Sequence, residues 1–153
     1  MNADTGYEVV IGLEVHAQLL TKTKLFCGDT IVFGQPPNTQ VSVISLAHPG
    51  TLPKLNKEAI RLAITLGLAT HSEIVQQNYF ARKNYFYPDL PKGYQISQHT
   101  TPICKGGYVE ITVGKEKRQV RLNRIHIEED AGKSVHEGET EFTQLDFNRA
   151  GTP

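Results

Sequence analysis

From Tyr7 to Leu19 the apolar residues fall on every second position: Tyr7, Val9, Ile11, Leu13, Val15, Ala17 and Leu19. A period of two puts successive side chains on opposite faces of an extended chain, so residues 7–20 are expected to form a strand with one buried face. Glu14 and His16 then project from the other face, one pleat apart, a spacing that suits two ligands of one metal. Gly12 beside them lacks a side chain and lets a ligand approach the backbone. An exposed strand face that is merely polar fits the same alternation, and both readings stand.

A second apolar pattern changes phase. Val120 and Leu122 share one parity, Ile125 and Ile127 the other, so a β-bulge is expected near Asn123-Arg124. After it His126 and Glu128 share the polar face, while Glu129 follows Ile125 and Ile127 and is expected to point inward. The consecutive acids Glu128, Glu129 and Asp130 repel one another unless cations or a metal neutralise them. Carboxylate oxygens suit Mg²⁺, an ion that also binds nucleotide phosphates. Lys133, after a flexible Gly132, is placed to meet a phosphate as a point charge. A solvated acidic turn is the competing explanation.

The remaining patterns complete a coarse map. Residues 21–53 are rich in Gly, Pro and Asn and read as loop, with a short strand at Gln40–Leu46. Asn56 is a good N-cap for a helix to about Leu68, whose Ala59, Ile60, Ala63, Ile64 and Leu68 share one face. Strands are expected at 72–80 and 94–98. Tyr108–Val113 and 118–129 form a hairpin through Gly114-Lys115. The sum is an α+β domain, mainly antiparallel sheet with few helices. Gln144–Pro153 ends without a cap or polar tail, with Asp146, Asn148 and Arg149 on an apolar strand, so the chain is expected to be cut from something longer.

Residues 80–98 are dense in chemistry. Arg82 and Lys83 are adjacent and could clamp phosphate oxygens. Tyr85, Phe86, Tyr87 and Tyr94 could stack on a base or simply pack on the sheet. Pro88 and Pro91 stiffen the loop between them.

Composition narrows the classes. The chain has 153 residues, enough for one domain with a real core. Its 16 basic and 16 acidic residues cancel, which argues against a self-sufficient nucleic-acid binder but allows a contribution to a larger RNA-binding surface. No apolar run approaches the roughly 20 residues that span a bilayer, and the N-terminus has no signal-peptide core. Cys27 and Cys104 make no disulfide framework, and a reducing cytoplasm is the simplest setting. Cys104 reads as a small buried residue.

Six motifs, in order, carry a resemblance: IGLEVHAQL at 11–19, FGQPPNT at 33–39, HPGTLPKLN at 48–56, FARKNYFYPDLPKGYQISQ at 80–98, IHIEEDAGKS at 125–134 and DFNRAGTP at 146–153. Together they closely resemble the N-terminal part of the B-subunit family of tRNA-dependent amidotransferases. The resemblance implies a cradle domain like the catalytic fold of glutamine synthetase, here cut short. It implies ATP- and Mg²⁺-dependent phosphorylation of the side-chain carboxylate of Glu-tRNA(Gln) or Asp-tRNA(Asn). Ammonia from a glutaminase A subunit then displaces phosphate, and a small C subunit holds the assembly together.

On the matching positions, Glu14, His16 and Glu129 correspond to metal positions, with Glu128 beside them. Arg82, Lys83 and Lys133 are the candidates for neutralising phosphate charge, Asp130 is a further catalytic candidate beside the metal positions, and Tyr85, Asn148 and Arg149 are the candidates for contacting the nucleotide. Some relatives carry a four-thiol zinc site where this chain reads Cys27-Gly28-Asp29 and Ser42-Val43-Ile44-Ser45. One thiol of four remains, so no zinc is expected, and packing and hydrogen bonds are expected to hold that loop. The family's helical and tail domains, which bind tRNA, are absent, so the chain alone is expected to lack amidotransferase activity. A non-catalytic metal-binding domain and a module for docking the A and C subunits are the alternatives.

Overall fold

The computed structural model describes residues 6–136 and 142–153. One helix, α1 (Lys57–Ala69), precedes nine short strands among the described residues: β1 (Glu73–Ile74), β2 (Ala81–Asn84), β3 (Tyr94–Ser97), β4 (Cys104–Lys105), β5 (Tyr108–Val113), β6 (Glu116–Arg121), β7 (Arg124–Ile125), β8 (Lys133–Val135) and β9 (Gln144–Asp146). All pairings are antiparallel: a three-stranded sheet in the order β1-β4-β7, and the pairs β2-β3, β5-β6 and β8-β9. The α+β expectation holds. No helix among the described residues is long and apolar enough to cross a membrane.

The helix starts where its cap predicts. The Asn56 carbonyl oxygen accepts the Glu58 N–H at 2.9 Å, and its amide donates to the Thr23 and Lys24 carbonyls at 3.2 Å, fixing the helix to the preceding loop. Ala59, Ala63 and Gly67 form the buried stripe, with Ile60 and Ile64 packed at its flanks. Leu68, expected in that face, is exposed because the face is centred one residue earlier, on Gly67. Small residues there admit the sheet closely: a Cβ on Gly67 would overlap Cys104 Sγ and stand 2.8 Å from Ile74 Cδ1. The core is Leu25, Phe26, Ala59, Ala63, Ile103, Cys104 and Ile127, and the Phe26 ring meets Phe80 edge-on at 5.3 Å. Cys104 is fully buried there, as its sequence context predicts.

Four expectations are corrected. Residues 7–18 form no strand, and Val9, Ile11, Leu13 and Val15 are all exposed. Alternation sets the conformation of a segment; a strand also needs a ladder partner, and none of the described residues lies alongside. Leu19 N–H donates to Pro153 O at 2.9 Å.

The segment 40–46 is not a strand but a run of turns. Leu46 and His48 donate back to Ser42 and Val43, and the Asp29 carboxylate captures the Ser42 N–H. The phase change at Asn123-Arg124 is a strand switch, not a bulge. The chain leaves the β5-β6 hairpin at Arg121 and joins β4 as β7, with Gly106 N–H donating to Asn123 O at 3.0 Å. Residues 126–129 therefore lie outside any ladder, and the expected 72–80 strand contracts to β1 for the same want of partners.

Candidate active site

The acid run Glu128–Asp130 is held by β3. Glu129 N–H donates to Ile96 O at 3.1 Å, and Ile96 N–H returns to Glu129 Oε1 at 2.8 Å. Ser97 Oγ donates to Glu128 Oε2 at 2.9 Å, and Gln95 Nε2 to Glu129 O at 2.7 Å. Glu129 is 2 % exposed, inward with Ile127 as its parity predicts, and His126 stands 3.8 Å from Glu128 on the other side. A buried carboxylate needs a counter-charge. Lys92 supplies it, its ammonium closing on Glu129 Oε1.

The β2-β3 register sorts the basic residues. Lys83 pairs with Gln95 and Arg82 with Ile96, and directly opposed residues share a face. Lys83 therefore lies on the face of Gln95 and Ser97, which bond the acid run. Arg82 lies on the opposite face, its guanidinium 5.2 Å from the centre of the Tyr94 ring. The expected two-residue clamp is not made, because neighbours on a strand point apart.

Tyr85 is on the Lys83 side: its hydroxyl donates to Gln95 Oε1 at 2.6 Å, and the Lys83 ammonium is 5.9 Å from its ring. Burial first, then Asp89 and the three acids of the run, push the Tyr85 phenol above its ordinary pKa, so it stays a donor. Phe86 and Tyr87 are exposed and Tyr94 half-buried.

The chain end folds under this site. Arg149 Nε lies 3.2 Å from Asp130 Oδ2 and donates to Ala131 O at 3.1 Å, while Nη2 donates to Gly132 O at 2.6 Å. Asn148 donates to Pro36 O at 2.7 Å and accepts Gln40 N–H at 2.8 Å. Both residues, expected at a nucleotide, are bonded within the fold and tie its loops. Lys133 is exposed, opposite Asp146 in the β8-β9 pair. Gly132 is no free hinge: a Cβ there would stand 2.8 Å from Asp89 O and 3.0 Å from Asp146 O. Gly12, expected at a close backbone approach, has nothing within 4 Å of such a Cβ.

Glu14 and His16 do come together, Oε1 to Nε2 at 3.5 Å, with both side chains 72 % exposed. Burial, foremost, raises the half-exposed Asp130 carboxyl above its ordinary value, and Glu128 adds to this. Arg149, the Ala131 N–H and His16 oppose it, which sets His16 within electrostatic reach of the acid run. Among the described residues no three His, Cys, Asp or Glu side chains are gathered closely enough to hold a metal ion. The donors instead stand as the pair Glu14–His16, the pair Glu128–His126 and the Lys92-bound Glu129.

Sequence reading missed Lys92, Lys24 and Asp29. Lys92 was visible only as a charge in a Pro-Gly-rich turn. Lys24 is fully buried beside Leu25 and Phe26, and its burial inside a loop-rich stretch leaves no periodic trace. Asp29 organises the loop around Cys27: its Oδ2 accepts Ser42 N–H at 2.8 Å and the Ser45 hydroxyl, and Cys27 Sγ lies 3.5 Å from Ser45 Oγ. The hydrogen bonding expected of that loop is present.

Residues 9–153 match the family model described as the GatB/GatE catalytic domain. Three similar proteins are each named as the B subunit of aspartyl/glutamyl-tRNA(Asn/Gln) amidotransferase. Those of Thermodesulfovibrio yellowstonii, Salinibacter ruber and Pseudomonas savastanoi pv. phaseolicola are 56 %, 57 % and 58 % identical over 96 % of this chain. The match covers 31 % of each relative, so the chain spans about a third of their length.

Proposed function

The chain belongs to the GatB/GatE catalytic-domain family, and from that premise we propose that it forms the carboxylate-activating part of a tRNA-dependent amidotransferase. The substrate is the side-chain carboxylate of Glu-tRNA(Gln) or Asp-tRNA(Asn). A carboxylate is a poor electrophile. One of its oxygens attacks the γ-phosphorus of ATP, ADP leaves, and the acyl phosphate carries a good leaving group. Ammonia then adds at the acyl carbon and phosphate departs. The work of the protein is positioning and charge neutralisation, with no side-chain nucleophile.

The observation that carries the reading is the face on which β3 holds the Glu128 carboxylate through Ser97 and the Glu129 main-chain carbonyl through Gln95, while its partner β2 presents Lys83. Lys83 is exposed and its ammonium has no carboxylate partner among the described residues, so its charge is available to a transferring phosphoryl group. Lys133 and Arg82 add positive charge at the margins. Tyr85 borders the nucleotide side, and Arg149 and Asn148 act through the loops they tie, with Asp130 held by Arg149.

The donors fit Mg²⁺ in kind: carboxylates on the acid run, and the Glu14–His16 pair whose imidazole acts on Asp130. In this proposal Glu14, His16, Glu128 and Glu129 would hold the ion, whose charge would offset that of phosphate; the pairs stand apart in the described residues and would have to close together around it. The likeness to the glutamine synthetase fold, the glutaminase A and C subunits as partners, tRNA contact through the rest of the full-length protein, a cytoplasmic setting and inactivity of the chain alone belong to the same proposal. The metal-binding-only and docking-only readings draw no support from the relatives.

The test is ATP hydrolysis dependent on misacylated tRNA, in a complex reconstituted around the full-length protein, with Glu14→Ala against wild type. Glu14 makes no buried contact, so assembly should survive. The proposal expects a raised Mg²⁺ requirement and lost turnover; an unchanged Mg²⁺ profile counts against it.

A further inference from the structure

One buried cation, Lys24, is given no role in the proposal above. Lys24 is fully buried, yet no described carboxylate forms an ion pair with it. Its Nζ donates to Ser45 Oγ at 3.2 Å and to Phe147 O at 3.3 Å, which leaves one of three ammonium protons without an acceptor among the described residues. Asp29 reaches it only through Ser45. Burial outweighs the attraction of Asp29 and holds the Lys24 ammonium below its ordinary pKa.

Lys24 lines a cavity of about 140 Å³, whose other charged walls are Lys92, Glu129 and Asp130. Glu129 is neutralised by Lys92 and Asp130 by Arg149, so Lys24 is the one charge in the described walls without a direct counter-charge. Phe26, Ile44 and Ile96 supply apolar lining that weakens screening. A buried ammonium in that state is costly, and an incoming anion would offset the cost.

We propose that this cavity is a subsite for a small oxyanion, phosphate or carboxylate, with Lys24 as its binding cation. The assignment rests on the proposed function for its role, since both anions occur in carboxylate phosphorylation. The cavity touches the same Glu129 and Asp130 that β3 and Arg149 hold, so an anion there lies against the acid run. Gly151 keeps the cavity in shape: a Cβ on it would press to 3.3 Å from Lys24 Cδ and 3.9 Å from Glu129 Oε2.

The experiment is thermal unfolding of the chain with millimolar phosphate, acetate or chloride, for wild type, Lys24→Met and Lys24→Gln. No ATP or tRNA is present, so the result stands apart from the kinase proposal, which can fail or hold without it. Phosphate or acetate should raise the wild-type midpoint above the chloride control, and whichever does so names the anion. In both variants the apparent dissociation constant should weaken about tenfold to a hundredfold, the value of one hydrogen bond from a charged donor. With no anion added, Lys24→Met should unfold at the same or a higher temperature, because a costly buried charge is gone. Equal responses to all three anions, or equal responses in wild type and both variants, overturn the subsite.

Discussion

Lys92 closes on the buried Glu129 carboxylate while the Ile96 N–H donates to the same oxygen, 2.8 Å away. The pair fastens the Pro91-Lys92-Gly93 turn to the acid run that β3 carries. Lys92→Met should leave Glu129 buried and uncompensated, costing about 3–5 kcal/mol. Chemical denaturation checks this. Adding Glu129→Gln to Lys92→Met should recover part of the loss; if the double variant is no more stable than Lys92→Met, the pair does not carry the turn.

Asp29 makes a pH prediction. Burial works to raise its carboxyl, and the hydrogen bonds from Ser45, Ser42 and Cys27 together outweigh it, so the carboxyl lies below its ordinary value of 3.8. A depressed folded pKa contributes stability that is fully present above the unfolded value and is lost as pH falls through the folded one. Wild type should therefore be more stable than Ser45→Ala at neutral pH, and the difference should shrink below about pH 4. A difference that stays constant from neutrality to about pH 2 would show that the Ser45 bond does not act through ionised Asp29.

Gly67 reverses the usual helix preference. Alanine normally favours a helix over glycine by about 1 kcal/mol. Here the added Cβ meets Cys104 Sγ and Ile74 Cδ1, so Gly67→Ala should destabilise by about 1–3 kcal/mol through overpacking. Cys104→Ala in the same chain should relieve part of that, a coupling read by a double-mutant cycle.

These cases show what the sequence discloses and what it withholds. The N-cap at Asn56, the 108–113 strand and the inward Glu129 were legible because each depends on near neighbours in the chain. The expected 7–20 strand was not found, because pairing depends on chain the segment must lie against and the alternation does not reveal that chain. Arg82 and Lys83 looked like one clamp in a linear reading, and only the register with β3 shows that they face apart. Lys24, Lys92 and Asp29 were invisible as a group, since loops of no period bring Lys24 and Lys92 to one cavity with Glu129 and bring Asp29 to Ser45, from positions far apart.

Asn38 and Asn148 separate loop-tying from nucleotide contact. Asn38 has φ 60°, donates to Leu145 O at 2.8 Å and accepts Phe147 N–H at 2.8 Å, beside the Asn148 bonds to Pro36 and Gln40. Asn38→Gly keeps the backbone conformation and removes the side-chain bonds, while Asn38→Ala adds strain. Faster amide exchange at Gln40 and Phe147 should follow in both, more in Asn38→Ala. Asn148→Ala should act in the same way on exchange at Gln40. If it weakens nucleotide binding with no change in exchange, its role is contact with the nucleotide.

Lys83, on the face from which β3 holds Glu128, is the residue on which the proposed phosphoryl transfer to a carboxylate depends. The deciding measurement is ADP production dependent on misacylated tRNA, by a reconstituted complex with Lys83→Ala in the full-length protein. Among the described residues the Lys83 side chain makes only a ring contact, so assembly should be unchanged. Turnover should fall by about a hundredfold or more with tRNA binding retained. Turnover equal to wild type in an intact complex would contradict the assignment.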